Sequence, residues 1–392
     1  MAGTVLLLAV LQHPQEATLD VQTSVTGQTV DTRRIFDHIR ALAASPSRVT
    51  GSPGEQQARR YILDYLASLG ITNVTLQEFS VPVPVTQNAT IEIVSSNGAA
   101  HTLPVYPLWP NLARTCTTPP EGLTGPIVDA GDGSHDDMDG VPLRDALVVL
   151  DWDSDLAWLN VPEFGGRAVV FRGNTAASRS LTHRKYLTVP ADIPRYYVAR
   201  EDVPRLDSLL TPGASARIRC SAEWQPVKTA NILARLTPGA VPTNAARGTH
   251  APLIFHAYYD SISVVPDRAP GAEQACGAAT LLELARHLKD TDSHRPVYAL
   301  FTGAHGQALA GITHFVSSVR NGTMPRPDLM VALDLSSRSP VLGLFAMGGF
   351  RAQNEVFFRY KYSTLGRELM AIENQFVQSN AAQRLVADSL VD

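Results

Sequence analysis

The sequence predicts an α/β protein built on a mixed, mostly parallel sheet and interrupted by a β-rich insert. Three observations carry this. From residue 228 onward, strand-like and helix-like segments alternate, as in parallel sheets joined by crossover helices. Between about 100 and 225 the texture shifts to short apolar runs punctuated by Gly, Pro and Asp. Upstream of 100 the elements are longer again, so the middle reads as a compact domain inserted into a larger one.

Residues 31–70 predict two helices. In the second, Ser52 is the N-cap, Pro53 fills the first helical position and Glu55 completes an S-x-x-E capping box. Ala58, Ile62, Leu66 and Leu69 recur at helical spacing, and Gly70 closes the helix. Residues 73–95 alternate apolar and polar like two strands. In the insert, GPIVDAGDG, DALVVLDWDSD, GGRAVVFRG and PRYYVARED are strand-like. Beyond it, TANILARL, APLIFHAYY, PVYALFTG and PDLMVALDLS predict strands, and CGAATLLELARHLKD and LAGITHFVSSV predict helices. Functional groups of such a sheet belong at the carboxyl ends of its strands. The expected divisions are an N-terminal segment over 1–30, one part of the larger domain over 31–99, the insert over 100–226 and the second part over 227–392.

The 392 residues are enough for two domains and a substantial core. A net charge of -4 with no basic cluster argues against a nucleic-acid partner. Cys116 and Cys220 bracket the insert and would be able to pair in an exported chain; two buried free thiols are the equal alternative. The N-terminal apolar run in MAGTVLLLAVLQHPQEA is too short to span a bilayer. It has the length of a signal-peptide core, without a basic start or a clear cleavage site. Asn-x-Ser/Thr sequons at Asn73, Asn88 and Asn321 fit a secretory context. The expected location is extracellular or membrane-associated.

The segments RVTGSPGEQQARRYILDYLASLG and strand–YDS–PGA–G-x-x-x-LLELAR together resemble the family of zinc aminopeptidases and glutamate carboxypeptidases, which includes transferrin-receptor-like proteins. The likeness covers roughly residues 31–95 and 228–350. The insert resembles a protease-associated domain. The resemblance implies a three-layer α/β/α zinc-exopeptidase-like domain. It also implies a place for each group of a co-catalytic zinc site, which needs His, Asp and Glu ligands and a free carboxylate base.

Most of those places hold other residues. The family's His-x-Asp reads Tyr258-Tyr259-Asp260: the orienting Asp260 is present, but the ligand place holds Tyr258. A phenol, titrating near 10, is a poor zinc ligand at neutral pH. His256, two residues upstream, reads as a strand histidine. The bridging carboxylate falls on Glu273, in a turn that looks one residue short. The Glu-Glu pair, general base then ligand, falls on His305 and Gly306. Asp334 matches the Asp of a later strand. No His follows it, so the final ligand is lost or the domain is incomplete at its C-terminus.

The resemblance therefore implies descent from a peptidase, and the replacements imply a pseudopeptidase that binds protein or peptide and needs no cofactor. The alternative is an active metallo-exopeptidase with an atypical zinc site from Glu273, His305 and Asp334, with His305 as base. Membrane association through segments outside this chain is compatible with both. Three further patterns are weaker: Ser261 with His305 and Asp334 as a hydrolase triad, FAMGGF (345–350) as a phosphate loop, and the acidic run Asp129–Asp139 as a calcium site.

Overall fold

The computed structural model describes residues 31–174, 182, 184–186, 192–237, 252–293 and 295–336, and the short strand Thr4–Leu6. In chain order its main elements are α1 (Thr32–Leu42), α2 (Pro53–Ser68), β1 (Val74–Val94), β2 (Ala100–Pro104), β3 (Leu123–Asp129), β4 (Leu147–Asp151), β5 (Ala168–Arg172) and β6 (Arg195–Val198). There follow α3 (Val203–Leu209), β7 (Ser215–Arg235), β8 (Leu253–Tyr258), α4 (Cys276–Leu288), β9 (Val297–Thr302), α5 (Ala310–Arg320) and β10 (Leu329–Ala332). The described residues fall into two compact units. The first is drawn from Met1–Val81, Lys228–Ser261 and Pro270–Asp392, the second from Pro82–Val227 and Ile262–Ala269. FAMGGF lies outside the described residues. Among those residues, no helix is long and apolar enough to cross a membrane.

In the first unit, β8 runs parallel to β9 on one side and to β10 on the other, and β9 pairs antiparallel with the end of β7. The sheet is mixed and mostly parallel, as the alternation of elements predicts. Its two faces follow from period-two burial. Ile232, Ala234, Ala257, Ala299, Phe301 and Val331 share one cluster with apolar residues of α1, α2 and α4. Leu233, Ile254, Tyr298, Leu300 and Met330 share another with Phe315 of α5. Helices thus cover both faces, giving three layers. The chain leaves β8 towards β9 and then returns past it to β10. That reversal makes the carboxyl end of β8 a topological switch point, the place where open α/β sheets hold their ligands.

Helix α2 starts as its sequence predicts, with the Ser52 hydroxyl accepting from the Glu55 N–H. Glu55 itself does not close the capping box. It is fully buried, and its carboxylate accepts from Tyr259 Oη at 2.7 Å and Thr229 Oγ1 at 3.1 Å. Residues 74–94 form one continuous strand instead of two. Val81 and Val83 are buried while Pro82 is exposed and Pro84 half-buried, so the prolines sit off the packed face and do not end the strand.

In the second unit, β3, β4, β5 and β6 are mutually parallel, and β3 pairs antiparallel with the start of β7. Cys116 and Cys220 are free, buried and part of one apolar cluster; burial raises both thiols, Cys220 to about 12.

Candidate functional site

The carboxyl ends of β8, β9 and β10 gather three of the residues singled out from the sequence. Tyr258 is the last residue of β8, His305 follows β9 by three residues, and Asp334 follows β10 by two. The Tyr258 and His305 rings lie face to face, with centroids 3.8 Å apart and planes 16° from parallel. Tyr258 Oη donates to Asp334 Oδ1 at 3.4 Å, and Asp334 is exposed. Burial lowers His305 below its ordinary value, with Asp334 opposing.

Asp260 anchors this arrangement from beneath. It is fully buried, and its Oδ2 accepts from Thr50 Oγ1 at 2.8 Å and from the His305 N–H at 3.0 Å. Its Oδ1 has no hydrogen-bond partner. Burial pushes the carboxyl up to about 7, against the pull of these two hydrogen bonds. Asp260 thus holds the backbone at His305.

The turn after β9 is tight. Ala304, Ala308 and Leu309 all have positive φ, the left-handed region that non-glycine residues rarely adopt. A Cβ on Gly303 would lie 2.5 Å from Thr229 Oγ1, so the chain passes there only as glycine. Gly306 lies in the same turn and offers no side chain.

His256 sits half-buried, two residues before Tyr258 on the same strand. Its Nε2 lies 2.9 Å from Thr302 Oγ1, and burial together with nearby His305 pushes it down to about 3. It is a neutral strand histidine, as its sequence position predicts. Glu273 is half-buried in the turn before α4, where its carbonyl accepts from Cys276 N. Among the described residues, Glu273, His305 and Asp334 do not come together in a group able to hold a metal ion. Ser261 is buried, bridged to Val49, with its N–H on the Arg48 carbonyl. His305 stacks on Tyr258, so a hydrolase triad gains no support here.

Sequence reasoning missed Arg48 and Thr50. Arg48 is fully buried, and its guanidinium donates to the carbonyls of Leu42, Tyr259, Pro270 and Gly271. Both residues lie in RVTGS, just before the α2 cap. That polar cluster beside a helix start was the available signal.

In the second unit, Asp129, Asp151 and Arg172 end β3, β4 and β5, and Asp207 approaches from α3. Arg172 pairs with all three carboxylates, at 2.8 Å to Asp207 and 3.3 Å to Asp151, with its closest contact to Asp129. These residues line an open depression of about 400 Å³. The rest of the acidic run folds on itself: Asp137 accepts from Asp132 N, Asp132 accepts from Ser134 N, and Ser134 caps the short helix His135–Met138. Its carboxylates serve turn and cap, as a solvated loop does.

Residues 231–384 match the family described as Peptidase family M28. Aminopeptidase YwaD of Bacillus subtilis is 23% identical over 347 residues, covering 86% of this chain and 69% of the relative. The probable lipoprotein aminopeptidase LpqL of Mycobacterium tuberculosis is 23% identical over 338 residues, covering 82% of this chain and 62% of the relative. Among solved structures, the Bacillus subtilis zinc aminopeptidase BSAP superposes with a TM-score of 0.50 at 19% identity, over 74% of this chain. The chain spans 65% of that structure's length. This last likeness is one of fold.

Proposed function

From its place among the zinc aminopeptidase-like metallopeptidases, we propose that this chain is a pseudopeptidase whose former cleft binds protein or peptide. The observation that carries the reading is the closure of Tyr258, His305 and Asp334 on one another. The phenol covers one imidazole face and bonds the one exposed carboxylate.

The fold family implies a zinc pair, and these donors fit it poorly. Zinc at a structural or catalytic site takes three or four protein ligands from thiolate, imidazole and carboxylate. Here the strand ends present a phenol, an imidazole, a glycine and one carboxylate. Replacing ligands by neutral groups also removes carboxylates that would repel one another without a cation. What remains suits recognition: Asp334 is an exposed acceptor for peptide N–H groups, beside a flat aromatic wall.

The location proposed is outside the cell or at a membrane. The mycobacterial relative is named a lipoprotein aminopeptidase, and this chain's N-terminal apolar run and sequons support the same kind of place.

The test is metal content by mass spectrometry after zinc loading and desalting, with Asp334→Ala as control, beside hydrolysis of aminoacyl-nitroanilides. Substoichiometric zinc in both proteins and no hydrolysis are expected. Stoichiometric zinc that disappears in Asp334→Ala, with hydrolysis, overturns the reading. It would establish instead an active metallo-exopeptidase using His305 as base.

A further inference from the structure

Eight asparagines lie among the described residues, and their side chains separate into two groups. Five are engaged or buried. Asn97 accepts from Ala99 N, Asn160 donates to the Gly133 carbonyl, Asn174 donates to Asp153, Asn231 donates to Gln77 and Gly311, and Asn111 is 4% exposed. The other three, Asn73, Asn88 and Asn321, are exposed, and their side-chain amides make no hydrogen bond among the described residues. These three are the asparagines that begin Asn-x-Thr triplets: Asn73-Val74-Thr75, Asn88-Ala89-Thr90 and Asn321-Gly322-Thr323. Sequence alone marks the triplets. The structure adds that every described asparagine whose side chain faces solvent and makes no hydrogen bond is in one, and that none of the other five is.

We infer that Asn73, Asn88 and Asn321 are acceptor sites for N-linked glycans; this rests on the exported location proposed above. The modification joins Asn Nδ2 to the anomeric carbon of an oligosaccharide carried on a lipid pyrophosphate. The bond from that carbon to the pyrophosphate oxygen breaks, the lipid pyrophosphate leaves, and the amide proton passes to the transferase's base. The folded protein must then hold a bulky polar group at each site without losing a contact. All three sites meet that condition. Asn73 uses only its backbone carbonyl, which accepts from Arg235 N. Asn321 ends α5 in a turn where Gly322 takes a φ of 74° and residues 321–323 are all exposed. Asn88 projects from β1 into solvent.

The test is expression of the whole chain in a eukaryotic secretory host, once with its own N-terminus and once behind an added export leader. Gel mobility is read before and after peptide N-glycosidase. With the leader, three mobility steps are expected to collapse to one band. Asn73→Gln, Asn88→Gln, Asn321→Gln and Thr323→Ala should each remove one step; Thr323→Ala keeps Asn321 and removes the recognised hydroxyl, together with its exposed bond to the Ser318 carbonyl. Leader-bearing chain that is protected inside microsomes yet carries no glycan overturns the assignment. Glycosylation with the leader supports the acceptor sites, and glycosylation behind the chain's own N-terminus as well supports the export on which they rest.

Discussion

Two arginines organise the two units, and they do so with opposite chemistry. Arg48, in the first unit, is fully buried and donates to four backbone carbonyls. Arg172, in the second, is 13% exposed and pairs with three carboxylates at the ends of parallel strands and in α3. Burial works to lower Arg172, and its hydrogen bonds to Asp129 and Asp207 outweigh this and raise it. Burial pushes Arg48 down to about 10, with Asp260 opposing. Carboxylates gathered at strand ends require a cation nearby. The second unit supplies one from its own chain. In the first, the buried carboxylate near the end of β8, Asp260, is held towards its neutral form.

The largest expected effect breaks this contrast at Arg48. Arg48→Met removes the guanidinium's bonds to four carbonyls from a fully buried position, and a cost of about 3–5 kcal/mol is expected. Urea denaturation should show that loss unchanged between low and high salt, because the lost bonds involve no ion pair. Arg172→Met should cost less, about 1–2 kcal/mol, since Asp129, Asp151 and Asp207 are each about half exposed (49%, 53% and 48%) and water relieves them. Here the loss should shrink as salt screens the remaining carboxylates. Equal salt responses in the two variants would erase the distinction between the two hubs.

How far the sequence foretells these features depends on how local their causes are. The start of α2 is legible because Ser52 and Pro53 act within one turn. Glu55 misleads for the opposite reason. Its spacing completes a capping box, but Tyr259 and Thr229, remote in sequence, offer a buried alternative that wins. Residues 73–95 likewise read as two strands, while the burial of Val81 and Val83 on either side of Pro82 accompanies one continuous strand. At the site, Tyr258, His305 and Asp334 are each readable as positions in a motif. Their mutual contact is not, because ring stacking depends on the strained turn after β9. Arg48 and Thr50 act on carbonyls and a carboxylate more than 200 residues away, which no local pattern signals.

A smaller and pH-dependent effect sharpens the comparison at Asp260. Its folded value, raised to about 7, lies above the ordinary 3.8, so its stabilising contribution is complete below about pH 4. It is lost as pH rises towards 7, because the unfolded chain releases this proton while the buried carboxyl retains it. His256, pushed down to about 3, acts in the opposite sense: its contribution is present above its ordinary 6.5 and is lost on acidification. The two slopes oppose each other in the native chain. Asp260→Asn leaves the His256 slope alone, so stability relative to the native chain should rise between pH 4 and 7, by about 1–3 kcal/mol. Parallel urea midpoints for the two proteins at pH 4.5 and 7 would remove Asp260 from this role.

The smallest effect concerns Tyr258. Tyr258→Phe keeps the stack on His305 and deletes one long hydrogen bond to an exposed carboxylate, so a cost below about 1 kcal/mol is expected. Its value lies in what else should move. Freed from the phenol, Asp334 loses a donor that shares its charge, and Asp334 already acts to raise His305. Proton titration of His305 by NMR should therefore shift upward in the variant. An unchanged titration would mean that the phenol does not mediate between imidazole and carboxylate. The closure that carries the pseudopeptidase reading would then be a contact of shape alone.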